Sequence, residues 1–577
     1  MANTINIALL GNTTTEYAGK ALTEECALYG LQAQIYNAPY LQYRQEILDH
    51  RSGLNRAAPE LIILMLEGCE LFPGWYEFKA LVADAGFKEK EISNIANDLI
   101  NLAETIHSNN KNALIVINNF RVPYNSPLGI LDSRMAPGLK QMISALNRKL
   151  EEHSAATNYL HIFDYDRFCS AAGQGGPQDH KMYYLAKSAL TLPATRSLAH
   201  EYMRYILPLK GRSKKCLVLD LDNTLWGGVA AEDGLAGISL DLSGPGRSYY
   251  NFQKEILNLY DRGILLALCS KNNSEDALEI LDKHPHMLLR KNHFTSIKIN
   301  WQDKADNLLE ISQELNIGLD SFVFFDDNPV ERESVKASLP QVTVVEVPQE
   351  PGRYCEVLRS LVEFESLEIT TEDIRRNEMY ALNALQQEQL KAAGSRKEFL
   401  EGLRTQLTVS LADEFTIPRI AQLTQKTNQF NMTTRRYSAA DIARMAADSS
   451  YYVLSCSVSD RLRDSGITGC CIISGKDQTA FIDTFLLSCR VLGRDIEYAF
   501  LSSVISLLRS RGMTEVNSEY IPTEKNKANK EFYLKAGFLE KAVNIEAGTV
   551  KASTRYLLPA GNTISAPEHI RILGPNL

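Results

Sequence analysis

The stretch Cys216–Gly228 reads CLVLDLDNTLWGG. Its apolar opening predicts a strand. Two aspartates then follow at i and i+2, Asp220 and Asp222, with Thr224 after them. At a strand end alternate residues point the same way. The loop beyond can bend so that the Asp220 side chain and the backbone at Asp222 share a cation. Open parallel sheets bind ligands at this end. For a lone D-x-D-x-T the alternative reading is an exposed acidic turn.

Other strand ends decide against that alternative. The apolar run Leu265–Cys269 ends at Ser270, with Lys271 and Asn272 after it. A hydroxyl and free backbone N–H groups there suit a phosphate. Lys304, in the helical pattern WQDKADNL, supplies a fixed positive charge. A third run, Phe322–Phe325, ends in Asp326-Asp327-Asn328. Holding so many carboxylates in one crevice calls for a divalent, oxygen-liking cation, Mg²⁺.

This set resembles the haloacid dehalogenase (HAD) phosphotransferases over about Cys216–Pro348. The resemblance implies that Asp220 is the nucleophile. Asp222 is then the general acid/base, with its backbone carbonyl on the metal. Ser270 and Lys304 hold phosphate, Thr224 and Asn272 line the substrate, and Asp327, supported by Asp326, completes the metal set. A carboxylate nucleophile forms an aspartyl phosphate that water later splits. The wider text, DLDNTLWGGVAAEDG (Asp220–Gly234), LCSKNN, FFDDNPVERE, KTNQFNMTTRRYS and SCRVLGR, is similar to FkbH-like proteins of polyketide pathways over about Met182–Gly537. That resemblance implies removal of both phosphates from 1,3-bisphosphoglycerate and loading of the glyceryl unit, as a thioester, onto an acyl carrier protein. A lactyl unit is a close variant. Composition and spacing alone give only Mg²⁺-dependent phosphotransfer. The alternatives are a simple HAD phosphatase and a non-catalytic scaffold.

Outward from the centre, the chain has 577 residues, 45% apolar and 23% charged. That is ordinary for globular protein and excludes disordered and fibrous classes. The net charge of −9 argues against nucleic acid as a partner. Ten cysteines without metal or paired spacing read as free thiols in a reducing cytoplasm. No targeting segment is expected, and no apolar run approaches the ~20 residues that cross a membrane.

The fold expected is α/β and multidomain, with five segments. Residues 1–209 alternate strands and helices and resemble an SGNH-hydrolase-like α/β domain. Residues 210–370 form the HAD-like Rossmannoid domain, and 371–406 a helical connector rich in helix formers over Ala381–Ala393. Residues 407–560 are similar to a GNAT-like α+β acyltransferase domain, and 561–577 make a tail. An SGNH hydrolase needs a serine after the first strand and a D-x-x-H. Here Thr13 follows that strand, and Asp179 and His180 are adjacent. Docking or scaffolding is the expected role.

The GNAT-like reading rests on a β-meander, the helix opened by Val491–Ile496, and NKEFYLKAGF (Asn529–Phe538). That superfamily's turn cradles the CoA pyrophosphate on its N–H groups. Arg490 and Gly493 match, but Asp495 stands where a small residue is usual. A carboxylate repels pyrophosphate, so a carrier-borne phosphopantetheine fits better than CoA; a structural remnant is the alternative. Lys426, Arg435 and Arg436 are candidate contacts for phosphate or an acidic carrier. Two thiols are candidates to hold the acyl group. Cys269 ranks slightly ahead because it precedes Ser270, although strand alternation can turn it away. Cys489 lies just before the GNAT-like turn.

Overall fold

The computed structural model describes residues 3–173, 176–377, 379–380, 396–461, 464–523, 525–541 and 553–574. The expected helical stretch Ala381–Ala393 lies outside them. The chain divides into two compact units, Met1–Ile206 and Leu207–Leu577.

The first unit contains strands β1 (Thr4–Gly11), β2 (Gln32–Asn37), β3 (Leu61–Met65), β4 (Leu114–Asn118) and β5 (Leu160–Phe163). They form one parallel sheet in the order β2-β1-β3-β4-β5. β3 and β4 are apolar along nearly their whole length because helices cover both faces. The end of this region carries two helices, His180–Ala186 and Leu192–Leu209. Lys187, at φ 52°, turns the chain between them.

The second unit holds two sheets. Strands β6 (Cys216–Leu219), β7 (Leu265–Ser270), β8 (Phe294–Ile299), β9 (Phe322–Phe325) and β10 (Thr343–Val344) form a parallel sheet ordered β10-β9-β6-β7-β8. β6, β7 and β9 are wholly buried. Alternation splits their side chains between two cores. Leu217, Leu219, Leu266, Leu268, Val323 and Phe325 face one side. Cys216, Val218, Ala267, Cys269, Phe322 and Phe324 face the other. β8 escaped the sequence reading because its polar Thr295, Ser296 and Lys298 break the apolar run.

The remaining strands form a nine-stranded mixed sheet: β11 (Thr405–Leu411), β12 (Phe430–Asn431), β13 (Tyr451–Ser459), β14 (Asp464–Lys476), β15 (Thr479–Leu487), β16 (Glu515–Tyr520), β17 (Leu539–Lys541), β18 (Thr554–Leu558) and β19 (Ile570–Leu573). β13, β14 and β15 are an antiparallel meander. The helix Ile496–Ser510 then crosses over to β16, which runs parallel to β15. One correction concerns the expected tail: Ile570–Leu573 pairs in parallel with β11 and closes that edge of the sheet.

Candidate active site

β6, the central strand of its sheet, delivers Asp220 at its carboxyl end, and β9 on one side delivers Asp326 and Asp327. These three carboxylates can each place an oxygen within 4.8 Å of the others. Asp326 is fully buried and Asp220 nearly so. The helix Lys304–Leu315 begins with a buried lysine whose Nζ lies 2.9 Å from Asp220 Oδ1 and 2.5 Å from Asp326 Oδ2. Asp220 Oδ1 nevertheless accepts no hydrogen bond of ordinary geometry. Burial alone would pull the Lys304 ammonium down. The two carboxylates outweigh it and raise its pKa above the usual lysine value. Burial, followed by the Asp220 charge, raises the carboxyls of Asp326 and Asp327.

The loop after β6 is fixed by short-range bonds. Asn223 takes φ 54°, and its side chain accepts from Gly228 N at 2.9 Å. Thr224 Oγ1 donates to Asp327 Oδ1 at 3.2 Å, tying the two strand ends together. The Asp222 carboxylate stands apart from the other three. It accepts from Trp226 Nε1 at 2.9 Å, Ala230 N at 3.0 Å and Asn272 Nδ2 at 2.8 Å. Burial raises its pKa, so it holds a proton more readily than an exposed carboxyl. Ser270 sits buried at the end of β7. Arg332, missed in the sequence, braces the acidic turn by donating to the carbonyls of Asp326 and Asp327 at 2.8 and 2.7 Å.

Two buried carboxylates that share one lysine, with the half-buried Asp327 beside them, leave surplus negative charge in the crevice. A small divalent cation bound by oxygens fits that donor set.

The two candidate thiols differ. Cys269 faces the core opposite Ser270 and is fully buried. Its thiol points at the Lys304 carbonyl, 3.7 Å away. Burial pushes that thiol up to about 12, which disfavours the thiolate needed for attack. Cys489, in the turn after β15, is partly exposed, and its Sγ lies 3.1 Å from the Tyr380 hydroxyl.

The expected basic contacts do not form a surface patch. Lys426 is ion-paired with Asp373 at 3.1 Å, and burial pulls it down to about 8. Arg435 is bound by Asp483 and by Glu519, the latter at 2.7 Å. Arg436 donates to Asn428 Oδ1 at 2.8 Å, and burial lowers its guanidinium to about 10. In the turn before the helix Ile496–Ser510, Asp495 takes φ 61° and Arg494 is ion-paired with Asp460 at 3.0 Å. The Arg490 side chain lies outside the described residues. β12 pairs with the end of β15, closing that strand end with the chain's own backbone.

A family profile described as FkbH, N-terminal domain, matches residues 6–206, nearly the whole first unit. The crystal structure of the N-terminal part of the protein BF1531 from Bacteroides fragilis, which contains a phosphatase domain and was solved with Mg, is 30% identical. The match covers 63% of this chain and 95% of that one, with a TM-score of 0.58. The chain belongs to the FkbH-like family. Two acetyltransferase structures also match. One is the ribosomal-protein-S18-alanine N-acetyltransferase from Escherichia coli: 16% identity, 30% of this chain, 98% of that chain, TM-score 0.22. The other is yncA, a putative acetyltransferase from Salmonella typhimurium with acetyl-CoA: 17% identity, 28% and 98% coverage, TM-score 0.22. No protein of curated function matches the sequence. Among the described residues no helix is long and apolar enough to cross a membrane.

Proposed function

We propose that this FkbH-like chain is a Mg²⁺-dependent phosphotransferase that dephosphorylates 1,3-bisphosphoglycerate and loads the glyceryl unit onto an acyl carrier protein. The observation that supports this most is the buried Asp220 oxygen, without a hydrogen bond, between Lys304 and two further carboxylates. Asp220 attacks phosphorus and becomes an aspartyl phosphate. Lys304 offsets charge on the transferring oxygens, and Ser270 holds the phosphate. Asp222 gives its proton to the leaving alkoxide, then takes one from the water that splits the intermediate. Mg²⁺ held by Asp220, Asp326, Asp327 and the backbone of Asp222 would neutralise the phosphate's negative charge. The acyl group passes through a thioester on Cys489 to the carrier's phosphopantetheine.

The test is intact-mass and phosphate analysis with a 1,3-bisphosphoglycerate-generating system. Release of the ester phosphate that stops with EDTA and returns with Mg²⁺, together with a glyceryl adduct lost in Cys489→Ala and kept in Cys269→Ala, is the expected result. Phosphate release without an adduct or carrier loading would leave a simple phosphatase.

A further inference from the structure

A cavity of about 680 Å³ lies within the second unit, away from the acidic crevice. Lys215 and Ser321, the residues just before β6 and β9, line one wall. The cavity therefore meets the sheet at the amino ends of its strands, whereas Asp220 and Asp326 follow the carboxyl ends. The facing wall comes from the nine-stranded domain and includes Cys489.

The lining is strongly basic. Five basic side chains face two carboxylates, in a chain whose net charge is −9. Both carboxylates are already engaged. Asp373 binds Arg376 and Lys426, and Asp320 binds Lys525. Lys215 makes no ion pair among the described residues. Burial pulls its ammonium below the usual lysine value, and its neighbours Cys489, Arg376, Lys525 and Asp320 all line the cavity. A desolvated ammonium without a counter-ion is costly, and an anion entering the cavity would relieve that cost. Beside it stands Cys489, with the Tyr380 hydroxyl 3.1 Å from its sulfur.

We propose that this cavity is a second phosphate-binding site, in which Lys215 holds the phosphate of an acyl phosphate while the Cys489 thiol takes the acyl group. The proposal rests on the acyl-transfer reading above and gives it a location. In the step, the Cys489 sulfur bonds the carbonyl carbon and the carbon–oxygen bond to phosphate breaks. The thiol proton leaves with the phosphate as hydrogen phosphate, and nothing is oxidised or reduced. Five residues of strand at about 3.3 Å each put Asp220 about 16 Å from Lys215. A three-carbon skeleton is far too short to span that distance. The ester phosphate and the acyl phosphate are therefore removed in separate binding events at opposite edges of one sheet.

The test follows alkylation of Cys489 by iodoacetamide, read by peptide mass spectrometry on the full chain. The probe is acetonylphosphonate, in which a methylene replaces the bridging oxygen of acetyl phosphate. At ten times its Kd it slows Cys489 alkylation about tenfold. Its uncharged diethyl ester does not. Lys215→Met loses the protection and Lys215→Arg keeps it. A phosphate on a pantetheine arm offers the same charge, so S-methyl-4′-phosphopantetheine is run in parallel. Protection by that compound alone assigns the cavity to the acceptor arm and overturns the proposal. So does protection by neither probe in the unaltered chain, or equal protection in Lys215→Met. Protection without any acylation of Cys489 by acetyl phosphate would instead sink the acyl-transfer reading and leave the phosphate site standing.

Discussion

The two five-stranded parallel sheets of this chain present very different strand ends. In the first unit the ends of β1, β3 and β4 are closed by amides. Asn12 exchanges two hydrogen bonds with the Glu67 backbone, at 2.8 and 3.0 Å. Asn118 does the same with Leu66, at 2.7 and 2.9 Å, and Asn119 reaches Asp164 at 2.9 Å. Asp179 spends its side chain capping a helix through Met182 N, and His180 is exposed. In the second unit the corresponding edge leaves a buried carboxylate oxygen without a hydrogen bond, beside a buried lysine and two more carboxylates. Paired amides hold a fold together, whereas clustered buried charge is available for chemistry. The same architecture thus serves both purposes, and the side chains at the strand ends decide which.

The comparison breaks most sharply at Asp220. Asp220→Asn keeps the shape but replaces the nucleophile with an amide. Release of the ester phosphate is expected to fall by at least ~10³, because members of such a constellation act as a unit. Any adduct that this variant forms on Cys489 is expected to retain the ester phosphate, and its mass reads that directly. Retained release of the ester phosphate in the metal-replete variant would remove the phosphotransfer assignment.

A smaller effect sharpens the other side of the comparison. Asn118 is buried and satisfies both backbone groups of Leu66. Asn118→Ala leaves those groups unpaired, at a cost of about 1–3 kcal/mol. Thermal or urea unfolding of the first unit should shift accordingly, with phosphate release at Asp220 unchanged. Lost phosphate release at normal stability would mean that the first unit's strand ends take part in the chemistry.

What the sequence disclosed follows the range of the forces involved. The acidic residues of the crevice sit at the ends of wholly apolar runs, so strand, end and side chain were legible together in CLVLDLDNT and FVFFDDN. Cys269 was partly legible too, since residues 265, 267 and 269 share a face and Ser270 does not. Contacts between distant segments were not. Nothing near Lys215 in the chain announces that it lines a cavity with Cys489, and nothing near Arg332 announces its two carbonyls. The edge strand β19 escaped because a short polar-flanked run beyond Pro567 reads as a tail until its partner β11 is known.

The two adjacent arginines show the same limit and give the smallest expected effect. Their run of charge reads as a docking patch, yet the charges opposing Arg435 come from β15 and β16. Arg435 binds Asp483 and Glu519, and Asp483 in turn accepts from Tyr437 at 2.6 Å and Thr484 at 2.9 Å. Glu519 is nearly buried, whereas about a third of the Arg435 side chain is exposed, at 32%. Arg435→Glu would set three carboxylates together in place of a cation between two. The cost lies between the exposed and buried limits for ion pairs, on the order of 1–2 kcal/mol. The melting transition of the second unit should fall, and raised salt should recover part of the loss by screening the exposed share. A docking residue would behave differently, raising the apparent KM for carrier protein with stability unchanged. Measuring both quantities in one variant separates the two roles, and a KM effect without loss of stability would return Arg435 to the carrier interface.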